Sequence, residues 1–247
     1  MIPTLDQRLR LRDVPPQPAV MYQKWEQLLF LHWGFEPAEI QKTLPTGLTA
    51  DTFDGEAWVG IVPFLMRGIR PRFLPAVSKI SNFLELNLRT YVHDAQGRPG
   101  VWFYSLECNQ PLAVQIARSL FHLPYQHARM NTAIQPSGMR KYASQRKKDE
   151  VVSKFHYQIA DDSHEATPGG LEFHLAERYL LFSKSPNGLR MGRVHHQPYP
   201  LAPASLQKWD ARLFALNGLP VPSRPPDHVM GSAGVQVKVY PLQSLGL

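Results

Sequence analysis

Residues 83–92 read Phe83-Leu-Glu-Leu-Asn-Leu-Arg-Thr-Tyr-Val92, the most regular alternation of apolar and polar side chains in the sequence. Successive side chains on a β-strand point to opposite faces of the sheet. The pattern therefore predicts a strand with two unlike faces, one of leucine (Leu84, Leu86, Leu88) and one of polar groups (Glu85, Asn87, Arg89). We expect the leucines to pack against covering helices.

Two interpretations fit the polar face. Antiparallel sheets often expose one face to water, which would make this an ordinary surface strand. The alternative is that the polar side chains line an internal cavity. The second interpretation is favoured, because the face combines an acid, an amide, a guanidinium and aromatic rings. The next strand, Val101–Glu107, is also apolar at nearly every position, as expected of a strand buried on both faces.

Working outward, alternating β-branched and aromatic residues between turn signals predict further strands. Hairpin turns are predicted at Asp94–Gly97 and Pro186–Gly188. Helices are predicted at Pro37–Leu44, Leu112–His122 and Ser205–Leu216, and Gln135–Glu150 is predicted to be an exposed hairpin or loop. The predicted strands are Trp25–Trp33, Ala57–Leu65, Phe83–Val92, Gly100–Glu107, Arg129–Gln135, Lys154–Ala160, Tyr179–Lys184, Leu189–His196 and Val235–Tyr240. This order predicts a mostly β fold with peripheral helices, built as a large antiparallel barrel or sandwich.

Composition limits the class of protein. The chain has 247 residues, is 43% hydrophobic and 19% charged, and carries a net charge of +7. These values exclude a disordered chain. The single cysteine, Cys108, excludes an intramolecular disulfide and a cysteine-cluster metal site. No apolar stretch reaches the ~18 residues of a membrane span, and no secretory signal is evident, so we expect a cytoplasmic protein without a membrane partner. A proline cluster, Pro15–Pro18, is predicted to separate an N-terminal arm (1–18) from a single domain (19–247).

Motifs along most of the chain resemble those of the YqjF-like family of uncharacterised bacterial proteins, a domain of unknown function. The resemblance implies a relation to the acetoacetate decarboxylase-like fold, a large mixed β-barrel around a central cavity. The motifs are His32-Trp33, Pro45–Leu48, Asp54–Trp58, Val62–Phe64, Phe83–Val92, Gly100–Leu106, Ala117-Arg118, Leu123–Tyr125, Glu177–Tyr179, Val194–His196 and Pro198–Leu201.

The resemblance also implies what the site lacks. In the decarboxylase a lysine forms a Schiff base with the keto acid, directly after a proline that follows a helix. Here Tyr125 and Gln126 follow Pro124, and neither can form an imine. Glu85 matches the cavity glutamate of the enzyme, whereas its cavity arginine has no clear counterpart near His32. Acetoacetate decarboxylation is therefore not expected, although whether the protein is an enzyme is left open.

Other chemistry-bearing residues give weaker signals. His195 and His196 point to opposite faces of one strand, so both cannot readily bind one ion, and we expect one of them, His195, to face the cavity. No metal and no cofactor is expected. The basic segment 140–148 contains one aromatic residue, Tyr142, and no nucleic-acid-binding motif, so a nucleic-acid partner is disfavoured. The sequence allows a homo-oligomer but does not require one.

Three hypotheses remain for the function. The first is a barrel that binds a small polar organic molecule, most simply a carboxylate, through Glu85, Asn87, Arg89, Tyr125 and His195. An arginine is the natural partner of a carboxylate because it can donate to both oxygens. The second is a lysine-independent lyase, isomerase or hydrolase acting on a carboxylic acid, with Glu85 as acid/base and Tyr125 as proton donor. The third is a non-enzymatic interaction protein that uses the basic segment 135–150.

Overall fold

A computed structural model describes residues 2–245, and strands dominate this part of the chain. The expected mostly β class with peripheral helices is therefore confirmed. The strands are β1 (Met21–Phe35), β2 (Leu48–Ala50), β3 (Thr52–Phe53), β4 (Glu56–Pro71), β5 (Phe83–Asp94), β6 (Pro99–Cys108), β7 (Tyr125–Ile134), β8 (Arg140–Arg146), β9 (Ser153–Ile159), β10 (Leu180–Ser185), β11 (Gly188–His195), β12 (Leu201–Lys208), β13 (His228–Val239) and β14 (Gln243–Ser244). The helices are α1 (Leu5–Arg10), α2 (Pro37–Gln41), α3 (Ser78–Ser81), α4 (Pro111–Phe121), α5 (Leu171–Ala176) and α6 (Arg212–Leu216).

Strand β5 lies between β4 and β6 and pairs antiparallel with both. From β6 the sheet continues along two routes. One passes through β7, β8, β9 and β12, and the other passes through β10 and β11. Both routes reach β13, which pairs with β1, and β1 pairs with β4. β4 pairs with one edge of β5 and β6 with the other, so both edges of β5 are hydrogen-bonded. β6 also pairs with β7 and β10.

The two faces of β5 border two separate interiors. We call the first the packed core: Leu84, Leu86 and Leu88 lie there against Trp33, Tyr142, Phe155, Tyr157, Leu213 and Phe214. The other face carries Glu85, Arg89 and Tyr91 towards a second interior, which we call the cavity side. The alternation predicted from the sequence is thus confirmed. The cover over the leucines comes mainly from strands β8 and β9 together with α6, rather than from helices alone.

The predicted helix at Ser205–Leu216 is wrong over its first half. Residues 201–208 form β12, which pairs with β9 and β13, and the helix is confined to α6. The apolar spacing of Leu206 and Leu213 suits a helix, but Leu206 instead faces Tyr157 across the sheet. The edges of β9 and β13 supply backbone partners here, and this tertiary pairing outweighs the local pattern.

The prediction of an exposed hairpin or loop at 135–150 is also wrong in its centre. Residues 140–146 form β8 inside the sheet, between β7 and β9. Tyr142 is buried and donates a hydrogen bond to the backbone carbonyl of Glu85 at 2.8 Å. Arg146 pairs with the buried Glu107 at 2.7 Å. Part of this basic segment is therefore built into the sheet, whereas Lys141, Lys147 and Lys148 remain exposed.

Helix α4 presents its apolar stripe outward rather than into a core. Leu112, Ile116 and Leu120 are 43%, 42% and 65% exposed, whereas Val114 is buried.

The N-terminal arm, in contrast, is attached to the body. Its helix α1 begins with a capping box between Thr4 and Gln7. None of the helices in the described part of the chain is long and apolar enough to cross a bilayer.

Candidate functional site

A cavity of about 460 Å³ lies on the cavity side of β5. This size is within the usual range for small-molecule sites. Its wall is mostly apolar and includes residues from α4 and from the segment 71–80 that precedes β5. Residues of that segment are exposed, so this end forms the mouth of the cavity. The polar or charged side chains in the lining are Gln23, Arg70, Ser81, Glu85, Arg89, Tyr125, Arg178 and Tyr199.

Glu85 and Tyr125 form one polar pair in the cavity wall. The hydroxyl of Tyr125 donates to Glu85 Oε2 at 2.7 Å, and both residues are buried. Burial raises the pKa of Glu85 to about 7, while hydrogen bonds from Tyr125 and Asn87 act in the opposite direction. Burial and the neighbouring carboxylate raise the pKa of Tyr125 well above its usual value. Glu85 can therefore gain or lose a proton near neutral pH, as a general acid or base must.

Arg89 is buried, and no carboxylate of residues 2–245 pairs with it. Its Nη2 donates to the Tyr91 hydroxyl at 3.3 Å and to the backbone carbonyl of Leu175 at 3.2 Å. Its guanidinium also lies over the ring of Phe30, 5.4 Å from the centroid. The buried Nε has no hydrogen-bond partner among residues 2–245. A buried, unpaired donor on a cation is energetically unfavourable unless an anion or another acceptor reaches it.

A second arginine, Arg178, reaches the same cavity from the end of α5. Its Nη1 pairs with Asp51 Oδ2 at 2.5 Å, and its Nε donates to the carbonyl of His174 at 2.6 Å. Its Nη2 is buried and unpaired within the described chain. The ring of Tyr91 lies 5.0 Å from its guanidinium carbon and 5.6 Å from that of Arg89. The two cations are therefore close neighbours on one aromatic side chain.

Asp51 links the cavity to the N-terminal arm. Its two oxygens accept hydrogen bonds from Arg8 at 2.6 and 2.7 Å, in addition to the bond from Arg178. Although burial alone would raise the pKa of Asp51, the two arginines hold it well below its usual value. Arg178 therefore shares the charge of Asp51 with the arm. Neither residue was selected from the sequence as a site residue: Arg178 lies in the motif Glu177–Tyr179, but its pairing with Asp51 spans 127 positions.

The residues selected from the sequence do not all meet in the cavity. Glu85, Arg89 and Tyr125 line it, whereas Asn87 is buried beside it with its Oδ1 unpaired in the described chain. His195 is not among the residues that line the cavity, and its ring lies beside the backbone of Arg12 in the N-terminal arm. Of the two neighbouring histidines, His196 is the one that packs beside the cavity, against Tyr199.

A group of buried histidines lies behind the two arginines. His32 Nε2 is 2.8 Å from the Tyr91 hydroxyl, and the ring of His174 packs against Tyr91. Burial lowers the pKa of both imidazoles well below the usual value, so both are neutral at physiological pH. Neutral rings leave the arginines as the positive charges at this end of the cavity. No group of histidines, cysteines and acids within residues 2–245 has the arrangement of a metal site.

Comparison with known proteins identifies the family. The model of the family DUF2071, described as an uncharacterized conserved protein, matches residues 22–236. The uncharacterized protein YqjF of Bacillus subtilis is 34% identical over 216 residues, which cover 87% of this chain and 88% of YqjF. Both matches confirm the resemblance derived from the motifs.

Solved structures identify the fold. Acetoacetate decarboxylase from Legionella pneumophila superposes with a TM-score of 0.62 at 12% identity, covering 94% of this chain and 91% of that one. An acetoacetate decarboxylase-like enzyme from Sphingomonas wittichii gives 0.62 at 13%, covering 94% and 96%. The enduracididine biosynthesis enzyme MppR, solved with pyruvate, gives 0.60 at 13%, covering 92% and 90%. At such low identity the likeness extends to the fold alone.

Proposed function

We propose a function from one premise, which is that this chain belongs to the DUF2071 family of uncharacterised conserved proteins. The protein binds a small organic carboxylate in the cavity beside β5. The carboxylate lies on Arg89 and Arg178, and the Glu85–Tyr125 pair meets another part of the ligand. MppR, whose fold is similar, was solved with pyruvate, which is itself a carboxylate.

One observation carries the proposal: two buried arginines that line the cavity each carry an unpaired N–H group. Within the described chain, Arg89 Nε and Arg178 Nη2 both lack a partner, and Arg89 pairs with no acidic side chain. A carboxylate supplies two acceptor oxygens and one negative charge, and so matches both needs. Hydrogen bonds to charged groups contribute about 1.5–3 kcal/mol each, so two such contacts suffice for selective binding.

The strand pairings support the expected barrel. Both routes from β6 return to β13 and then through β1 and β4 to β5. A sheet that returns to its own starting strand has no free edge along that path and encloses an interior. In this proposal the cavity is the interior of the route through β10 and β11, because Leu180, Leu181, Val194 and Val239 line it.

A lysine-independent enzyme is the second candidate, and the Glu85–Tyr125 pair favours it. A carboxyl group with a pKa of about 7 can remove or return a proton at neutral pH. No lysine is found among the residues that line the cavity in the described chain, and Tyr125 has no amine. Schiff-base decarboxylation is therefore not part of this proposal. A lyase, isomerase or hydrolase acting on a carboxylic acid would use Glu85 as acid/base and Tyr125 as proton donor.

Titration calorimetry with pyruvate and butyrate on the wild type and on Arg89→Ala tests the binding proposal. The variant should bind each acid at least about tenfold more weakly, because it loses a desolvated charge-assisted pair. Its melting temperature should change little, since Arg89 holds no buried acid. The exposed Arg129 provides the matched control, and Arg129→Ala should bind like the wild type. Unchanged affinity of Arg89→Ala together with a much lower melting temperature would make Arg89 a structural residue and remove the proposal.

A further inference from the structure

We infer that the ligand is an amphiphilic carboxylic acid, with its carboxylate on Arg89 and Arg178 and an apolar chain that runs along β5 towards the mouth. The inference rests on the proposed function, since it keeps the same site and the same carboxylate. It adds the chemical class of the remainder of the ligand and the direction in which the ligand lies.

The first step is the distribution of polarity along the wall. Segment 71–80 precedes β5, whereas Arg89 lies in the second half of that strand and Arg178 contacts Tyr91 beyond it, so the buried charges lie away from the mouth. The rest of the wall is mostly hydrocarbon and aromatic, and includes Met66, Phe83, Val101, Phe103, Leu106 and Leu181. A ligand that satisfies only the arginines would leave this apolar wall uncovered, whereas an apolar chain would remove it from water.

The second step is the length of the cavity along β5. Glu85 and Arg89 are four residues apart on an extended strand, which separates their Cα atoms by ~13 Å. They form no ion pair with each other in the described chain. An acid of two or three carbons held at Arg89 and Arg178 therefore leaves the region beside Glu85 and Tyr125 unfilled. A longer chain would extend past Phe83 and Phe103.

The third step is the chemistry of the mouth. β5 begins directly after α3, so the Glu85 end of the strand is the end nearer the rim. Apolar side chains of the rim are exposed: Leu74 is 57%, Val77 51%, Ile80 41% and Ile116 42% exposed. Exposed apolar patches of this kind accompany apolar ligands and partners. A chain that leaves the cavity here meets more hydrocarbon surface.

One cation of the rim could reverse this orientation. Arg70 also lines the cavity, but it is partly exposed and its guanidinium lies 4.7 Å from the ring centroid of Tyr22. A carboxylate held by Arg70 would be at the mouth with its chain pointing inward. The buried arginines are favoured, because a charge pair shielded from water is stronger than one at the surface.

A series of straight-chain acids tests the inference by calorimetry: acetate, butyrate, hexanoate and octanoate on the wild type. Each added methylene should tighten binding about fourfold while it is being buried, which corresponds to ~0.8 kcal/mol per CH₂. Ala117 lines the cavity on α4, and Ala117→Trp should shorten the accessible length. This variant should bind octanoate at least about tenfold more weakly and leave acetate nearly unchanged. The surface substitution Ala133→Trp is the control.

The outcomes separate the inference from the proposed function. Affinity that does not rise with chain length, combined with weaker binding by Arg89→Ala, overturns the inference and leaves the function intact. If Arg70→Ala removes the rise in affinity with chain length and Arg89→Ala does not, the ligand lies in the reverse orientation. That result also overturns the inference. Failure of the wild type to bind any acid in the series overturns the function and the inference together. A melting curve of each variant confirms that it is folded.

Discussion

Strand β5 separates two interiors that use the same backbone in different ways. On one side Leu86 and Leu88 are fully buried among aromatic and aliphatic side chains of β8, β9 and α6. On the other side Glu85 and Arg89 are almost as deeply buried, but they border a cavity of about 460 Å³. The alternation of a strand thus places alternate residues of a single segment in a packed core and beside a cavity.

The comparison teaches that burial has different consequences on the two faces. In the packed core, every methylene removed from water stabilises the fold, at roughly 25 cal/mol per Å² of apolar surface. On the cavity side, burial of a charge destabilises the fold unless a partner compensates it. Arg178 has such a partner in Asp51, whereas Arg89 relies on a hydroxyl, a carbonyl and aromatic rings. The cavity side therefore carries buried charge that is less fully compensated than the packed core.

The largest effect on stability should come from removing the carboxylate of Asp51, which pairs with two arginines on the cavity side. Asp51→Asn removes the negative charge that Arg8 and Arg178 share, and should lower the free energy of unfolding by ~3–5 kcal/mol, as loss of one partner of a buried ion pair does. Chemical denaturation at neutral pH measures it. Asp6, whose pair with Arg10 is exposed, is the control, and Asp6→Asn should cost at most about 1 kcal/mol. Equal effects of the two substitutions would contradict the importance of the buried pair.

Truncation on the packed side sharpens the contrast. Leu88→Ala should lower the free energy of unfolding by ~2–5 kcal/mol, because it removes apolar burial and leaves a cavity among well-packed neighbours. Leu120 is 65% exposed, so Leu120→Ala should change the same quantity far less. Urea denaturation of both variants provides the measurement. A small loss in Leu88→Ala, comparable with that of Arg89→Ala, would mean that the two faces are not energetically distinct.

A smaller, pH-dependent effect is expected from Glu85→Gln. The pKa of Glu85 is about 7 in the folded protein, above its ordinary value. A group with a raised pKa stabilises the fold below its unfolded pKa, and that contribution is lost as the pH rises through 7. Stability of the wild type relative to Glu85→Gln should therefore fall by roughly 2–3 kcal/mol between pH 5 and pH 8. Thermal or urea unfolding across this range measures it, with the exposed Glu39→Gln as control. If the difference in stability between the wild type and Glu85→Gln stays constant with pH, the pKa of Glu85 lies near its ordinary value.

Sequence patterns predicted the parts of this arrangement that depend on near neighbours. The two faces of β5 follow from strict alternation over ten residues, and the Asp94–Gly97 turn follows from its local chemistry. Tyr125 was found because it follows a proline and a helix, as the family resemblance requires. In each case the information lies within a short stretch of the chain.

The rest depends on contacts between distant segments. Residues 205–216 do have the apolar spacing of a helix. Residues 205–208 nevertheless belong to β12, because β12 pairs with the edges of β9 and β13. Asp51 and Arg178 lie far apart in sequence, and although Arg178 belongs to the motif Glu177–Tyr179, only the fold brings the two together. His195 was assigned to the cavity because strand alternation fixes that two neighbours face opposite sides but not which side is which.

The pairing of β1 with β13 has a consequence for how the protein is made. Met21 is opposite Val239, so more than two hundred residues separate two segments that must meet. At ~5–20 residues per second on the ribosome, β1 waits on the order of tens of seconds for this partner. During that interval its edge is unpaired, and its apolar residues depend on β4 or on a chaperone for cover. Because Met21, Trp25 and Val239 line the cavity, its wall is completed only after β13 has been synthesised.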